Sequence, residues 1–201
     1  MPNFVPIDDP VDKYLEDWWL YVPATDWPRG GKVRYQMHHN YLPGKGVLQA
    51  REMFEFLVDG QSDFGFIGDW SVYGESNQTK SFRDHLEEKR TFDVCIDQIT
   101  QGFLGMATWE ALSQGLVVIG RMDDFAVTEY LRLGNGELPP VLNCYCIDLV
   151  AERCVELSKD RARVNAIGKA GREWMLRNYN ARKIVQMYEN LYEEVLNGRG
   201  N

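Results

Sequence analysis

Asp93-Val94-Cys95-Ile96-Asp97-Gln98, then Gly102-Phe103-Leu104-Gly105, then Trp109-Glu110-Ala111-Leu112, then Gly115-Leu116-Val117-Val118-Ile119-Gly120: these runs follow one another over residues 93–120. They read as a buried strand, a glycine-marked loop, a short helix carrying one carboxylate, and a second buried strand. Neither apolar run alternates with polar residues, which is the pattern of strands covered on both faces. Two such strands joined by a helix form a parallel crossover unit.

The same alternation extends in both directions. Val33–His38 is strand-like, and Val47, Ala50, Phe54 and Leu57 recur at helical spacing. A short strand is expected over 64–67, a polar helix over 80–89, a strand over 92–96, a helix over 106–113, a strand over 116–119 and a helix over 127–133. Pro139-Pro140 marks a break. A strand over 141–145 and three helices over 148–158, 161–178 and 182–196 follow. Strands alternating with helices predict an α/β fold: a Rossmann-like parallel sheet with helices on both faces, closed by C-terminal helices. Within the last helices, Trp174, Leu176, Tyr179, Ile184 and Leu191 are the expected core residues.

Residues 1–32 differ in texture. Pro2, Pro6, Pro10, Pro23, Pro28 and Gly30-Gly31 punctuate them, as in a linker or N-terminal arm, yet Trp18, Trp19, Tyr21 and Trp27 lie there too. Large aromatics are seldom left in water, so this arm is expected to pack on the domain or on a partner surface. The division expected is an arm over 1–32 and one Rossmann-like domain over 33–198.

The bulk numbers exclude several classes. With 22 basic and 30 acidic residues the formal charge is −8, which argues against a general nucleic-acid binder, since neutralising phosphates needs a basic face. Mixed runs such as Glu87-Glu88-Lys89-Arg90 read as solvated faces. The four cysteines (Cys95, Cys144, Cys146, Cys154) show neither CxxC pairing nor metal-ligand spacing, so reduced, partly buried thiols are expected. On a strand, Cys144 and Cys146 would share one face. No apolar run is long enough for a membrane helix and no signal peptide is evident, which makes a cytoplasmic protein the expectation. Peripheral membrane contact is left open.

Open parallel sheets bind ligands at the carboxyl ends of their strands, which directs attention to the loop after the 92–96 strand. Gly102 and Gly105 permit unusual dihedrals and close backbone approach. Free N–H groups at the start of the next helix attract anions. Glu110, about one turn inside that helix, has the chemistry to accept hydrogen bonds from ribose hydroxyls. Spacing alone favours a plainer reading, in which the glycines only shape a turn and Glu110 is solvated.

The run Asp97-Gln98, Gly102 to Gly105 and Glu110-Ala111 through Ile119 resembles the donor-site signature of GT-B glycosyltransferases in the large retaining "group 1" family. Many members carry a glutamate at the position of Gly102; a subset reads D-Q, three residues, G-x-Y-G, four residues, E-A, and this chain is similar to the subset. Flanking segments extend the resemblance. Val33 to His39 followed by Lys45-Gly46 is similar to the family's first C-terminal-domain strand and its lysine turn. Ile167 to Tyr179 and Tyr188 to Tyr192 are similar to its closing helices. The resemblance covers about residues 33–196 and is weak between 60 and 90.

What the resemblance implies is the donor-binding half of a glycosyltransferase, taking a nucleoside-diphosphate sugar as substrate and needing no cofactor or metal. Glu110 would contact the ribose, and Lys45, with His39, would meet the diphosphate. Gln98 would hydrogen-bond within the pocket. The backbone of Gly102, Phe103, Gly105, Met106 and Ala107 would border the phosphates or sugar. No catalytic residue is assigned, because the family's acceptor-binding domain often supplies catalytic groups. Pro2 to Asp8 resembles the family's interdomain linker, which implies a missing N-terminal domain or a separate acceptor-domain protein as partner. The alternative is a non-catalytic Rossmann-like module that binds a nucleotide sugar or another subunit.

Overall fold

The computed structural model describes residues 28–38, 52, 53, 55, 57, 68–73 and 82–198. Five parallel strands form one sheet in the order β2-β1-β3-β4-β5: β1 Val33–His38, β2 Gly68–Tyr73, β3 Val94–Ile96, β4 Val117–Gly120 and β5 Val141–Asn143. The helices are α1 Phe82–Lys89, α2 Met106–Gln114, α3 Asp124–Leu133, α4 Ile147–Lys159, α5 Arg161–Asn178 and α6 Ala181–Leu196. The α/β reading holds, with β1 and α5 at the expected bounds and most other described elements within a few residues of theirs.

Period-two geometry sorts the non-alternating strands into two cores. Val94, Ile96, Val117 and Ile119 face one side of the sheet with Tyr35 and Met37, under Val150, Cys154 and Leu157 of α4 and the helical residues Met53 and Leu57. Cys95 and Val118 face the other side, under Ala111 and Leu112 of α2, Ala126 of α3 and Trp174 of α5. The Tyr35 hydroxyl donates to the Cys154 carbonyl at 2.7 Å and ties β1 to α4.

α2 ends at Gly115, whose φ of +78° is the left-handed cap that glycine adopts without penalty. α5 crosses beneath that end. A Cβ at Gly168 would stand closer than 3.0 Å to the Gly115 carbonyl oxygen, and one at Gly171 would lie 2.9 Å from Leu112 Cδ2. Gly168 and Gly171 are therefore packing positions within the 167–179 stretch. The Arg172 guanidinium, lowered by burial, donates to the Ser113 carbonyl beside it. Trp109 of α2 stacks with Tyr179 (4.5 Å between centroids) and with Trp174 (6.3 Å), and meets Tyr130 of α3 edge-on.

Several expectations need correction. β2 occupies Gly68–Tyr73; the run expected over 64–67 lies outside the described residues, as do residues 1–27. β5 stops at Asn143, so Cys144 and Cys146 leave the strand and do not share a face: Cys144 is buried and Cys146 is exposed. All four cysteines are free, and burial pushes the Cys95 thiol up to about 12. Trp174 is buried and Tyr179 packs on the core as expected, but Leu176 and Leu191 are exposed. In α6, Tyr188, Leu191, Tyr192 and Val195 all face solvent.

Residues 28–32 are fastened to the body. Arg29 donates to the Phe92 carbonyl and pairs with Asp93 at 3.0 Å. Arg161, at the start of α5, pairs with the same Asp93 oxygen at 2.7 Å and donates to the Lys32 carbonyl at 2.6 Å. The second Asp93 oxygen accepts the Arg34 N–H at 2.8 Å.

Candidate functional site

The loops after β3, β4 and β5 gather at the carboxyl edge of the sheet, as parallel topology requires. The β3–α2 loop is held by its own carboxylates. Asp97 Oδ2 accepts the Gly105 N–H at 3.0 Å and the Thr108 hydroxyl at 2.7 Å. This places a negative charge at the start of α2, where the helix dipole favours one. Asp123, at the N-terminus of α3, accepts the Ala126 N–H, and its own N–H donates to the Gly102 carbonyl.

These contacts explain the two loop glycines differently from the expectation. Neither has a positive φ. A Cβ at Gly102 would run into the Asp123 carboxylate, and one at Gly105 into the Gln98 amide and, at 2.9 Å, Asp97 Oδ2. Both positions are glycine because side chains of this same chain press on them. The Gly105 N–H is also claimed by Asp97 and is not open to a phosphate; the N–H groups of Met106 and Ala107 make no hydrogen bond to described residues.

Glu110 lies at the α1–α2 junction. It is only 9% exposed, which corrects the solvated alternative. Lys89 Nζ donates to its Oε2 at 2.6 Å and to the Ala107 carbonyl at 3.0 Å. His85 Nε2 lies 3.0 Å from the same Oε2. Oε1 meets no donor among the described residues, yet it is not sealed from solvent. Burial alone would raise this carboxyl, but His85 and the Lys89 ammonium outweigh it and bring it down to about 2. Glu110 is thus ionised at neutral pH, and helical side chains lean toward the N-terminus of their helix, here toward the loop-bearing edge.

Lys89 corrects another expectation. The run Glu87 to Arg90 does not form a wholly solvated face, for Lys89 is 0% exposed. Neither Lys89 nor His85 stood out in the sequence as a site residue. Their signal is the four-residue spacing that puts them on one face of α1 beside buried Leu86.

The other expected residues are spread around this point. Phe103 and Met106 are exposed at the rim, and Phe103 meets Phe125 edge-to-face at 5.9 Å. Ala107 is buried, and Gln98 lies over Gly105. Lys45 and His39 lie outside the described residues. Asp93, Asp97 and Asp123 each serve a local structural bond, and no group of three or more His, Cys, Asp or Glu among the described residues could hold a metal ion. No helix of the described residues is long and apolar enough to cross a membrane.

The solved structure of TarM, a glycosyltransferase, superposes on this chain with a TM-score of 0.59 over 85% of its length. The likeness is one of fold: a parallel α/β sheet flanked by helices. The two sequences are 16% identical over the match, and the chain spans 37% of the length of TarM. No family model and no curated protein matches the chain.

Proposed function

We propose that this chain is the donor-binding domain of a retaining GT-B glycosyltransferase of the group 1 type, holding a nucleoside-diphosphate sugar at the carboxyl edge of its sheet. The observation that carries the reading is Glu110: an ionised, nearly buried carboxylate, one of whose oxygens meets no donor among the described residues, on the helix that follows the β3–α2 loop. A ribose offers two adjacent hydroxyl donors, and a carboxylate oxygen is the acceptor they need. The N–H groups of Met106 and Ala107, which make no hydrogen bond to described residues, lie in the first turn of the same helix and suit an anionic oxygen. Lys45 and His39 would add positive charge against the diphosphate, stabilising the leaving group. An acceptor domain would complete the active site, and neither cofactor nor metal is called for.

One observation favours a second reading. The Asp123 carboxylate fills the space a side chain at residue 102 would need, so the glutamate common in the family cannot be accommodated without rearrangement. A nucleotide-sugar-binding module without turnover would not need it.

Thermal denaturation with UDP-, GDP- and ADP-sugars tests the pocket. Saturation at 100 times the dissociation constant should stabilise the fold by about 2.7 kcal/mol. Absence of a shift with every nucleotide, or a shift that survives Glu110→Ala, contradicts the donor site. Sugar transfer by the chain, alone or with an acceptor domain, decides between enzyme and module.

A further inference from the structure

We infer that Lys89, together with His85, is a positioning residue that fixes the direction in which the Glu110 carboxylate meets the ribose; this rests on the donor-binding reading above. A lysine on a short, polar helix is ordinarily left with its ammonium in water. Lys89 is instead fully buried, and its ammonium reaches two acceptors of α2, the Ala107 carbonyl at 3.0 Å and Glu110 Oε2 at 2.6 Å. It therefore spans the first turn of α2 and the carboxylate one turn later. His85, one turn before Lys89 on α1, brings a second nitrogen to the same Oε2 at 3.0 Å.

The asymmetry is what gives the pair a role beyond joining two helices. Both contacts converge on Oε2, while Oε1 has no donor among the described residues and keeps solvent contact. With Oε2 held from two sides, rotation about the last side-chain bond of Glu110 is blocked, and Oε1 is presented in one direction. A ligand hydroxyl then finds an acceptor already oriented, so less ordering is left for the binding step. The effect of Lys89 falls on the ribose contact rather than on the whole nucleotide.

That difference is the readout. Dissociation constants for UDP, GDP and ADP would be compared with those for their 2′,3′-dideoxy counterparts, in the unaltered chain and in Lys89→Met, Lys89→Arg, His85→Leu and Glu110→Ala. The unaltered chain should prefer the ribose form of its nucleotide by about tenfold or more, the worth of one charge-assisted hydrogen bond. Lys89→Met should lose most of that preference while binding the dideoxy nucleotide as before; Lys89→Arg should restore part of it, and His85→Leu should fall between. A folded Lys89→Met that keeps the full preference, while Glu110→Ala loses it, overturns the positioning role and leaves the donor site standing. Should Lys89→Met fail to fold, His85→Leu carries the same comparison, and an unchanged preference there overturns the inference. If no nucleoside diphosphate binds, or Glu110→Ala keeps the preference, the donor reading fails and the inference fails with it.

Discussion

Gly168 of α5 lies against the carbonyl oxygen of Gly115, so close that a methyl group at residue 168 would stand within 3.0 Å of it. The obstacle is backbone, held by the left-handed cap of α2 and by β4 beyond it. Gly168→Ala should therefore destabilise the protein by about 3 kcal/mol, the upper part of the range for overpacking. Gly102→Ala, whose neighbour is the rotatable Asp123 side chain, should cost about 1 kcal/mol. Urea midpoints at unchanged slope measure both. Equal losses would mean that the α5 crossing is no tighter than the rim loop.

Glu110 makes a pH prediction. Its carboxyl lies at about 2, below the ordinary 4.5. A folded-state value below the unfolded one gives stability that is present above pH 4.5 and lost as the pH falls toward 2. The size of this term is about 3 kcal/mol. Glu110→Gln cannot titrate, so its stability should fall less steeply through that window. Parallel acid limbs for the two proteins in denaturant titrations would show that the carboxylate is not held as described.

Asp93 collects Arg29, Arg161 and the Arg34 N–H. Asp93→Ala leaves the largely buried guanidinium of Arg29 without its carboxylate, and breaking such a pair costs about 3 kcal/mol. Hydrogen exchange at Arg34 should quicken more than at Val118 in the middle of the sheet. Uniform acceleration would indicate global destabilisation without local release.

Thr108→Val keeps the shape of its side chain and removes one of the two hydrogen bonds to Asp97 Oδ2. Asp97 Oδ1 is already buried without a partner among the described residues, so the carboxylate has little to fall back on. A loss of about 1–3 kcal/mol is expected. A change under about 0.5 kcal/mol would show that the hydroxyl adds nothing at this helix start.

The strands were legible because burial on both faces leaves a plain mark: Leu116 to Ile119 admits no polar residue. β2 escaped for the opposite reason. It is an edge strand, and Asp69, Ser71 and Tyr73 alternate with Trp70 and Val72, so no continuous apolar run announces it. Glu110 could be singled out by its offset from Gly105, but its partners could not. Lys89 is 21 residues away and reaches it only because α1 and α2 lie side by side. The exposure of Leu191 was hidden too: apolar spacing marks a face and does not say whether anything covers it.

The two edges of the sheet differ in how freely they can diverge. At the amino edge, Gly168 and Gly115 meet main chain to main chain, and no substitution elsewhere can make room. At the carboxyl edge, Gly102 is confined by the side chain of Asp123, and Gly105 by those of Gln98 and Asp97, side chains rather than main chain. A bulkier residue at 102 could be matched by a smaller one at 123, whereas one at 105 would need room from both 98 and 97. Descendants of this sequence can therefore rework the rim by coupled changes on a base that stays the same.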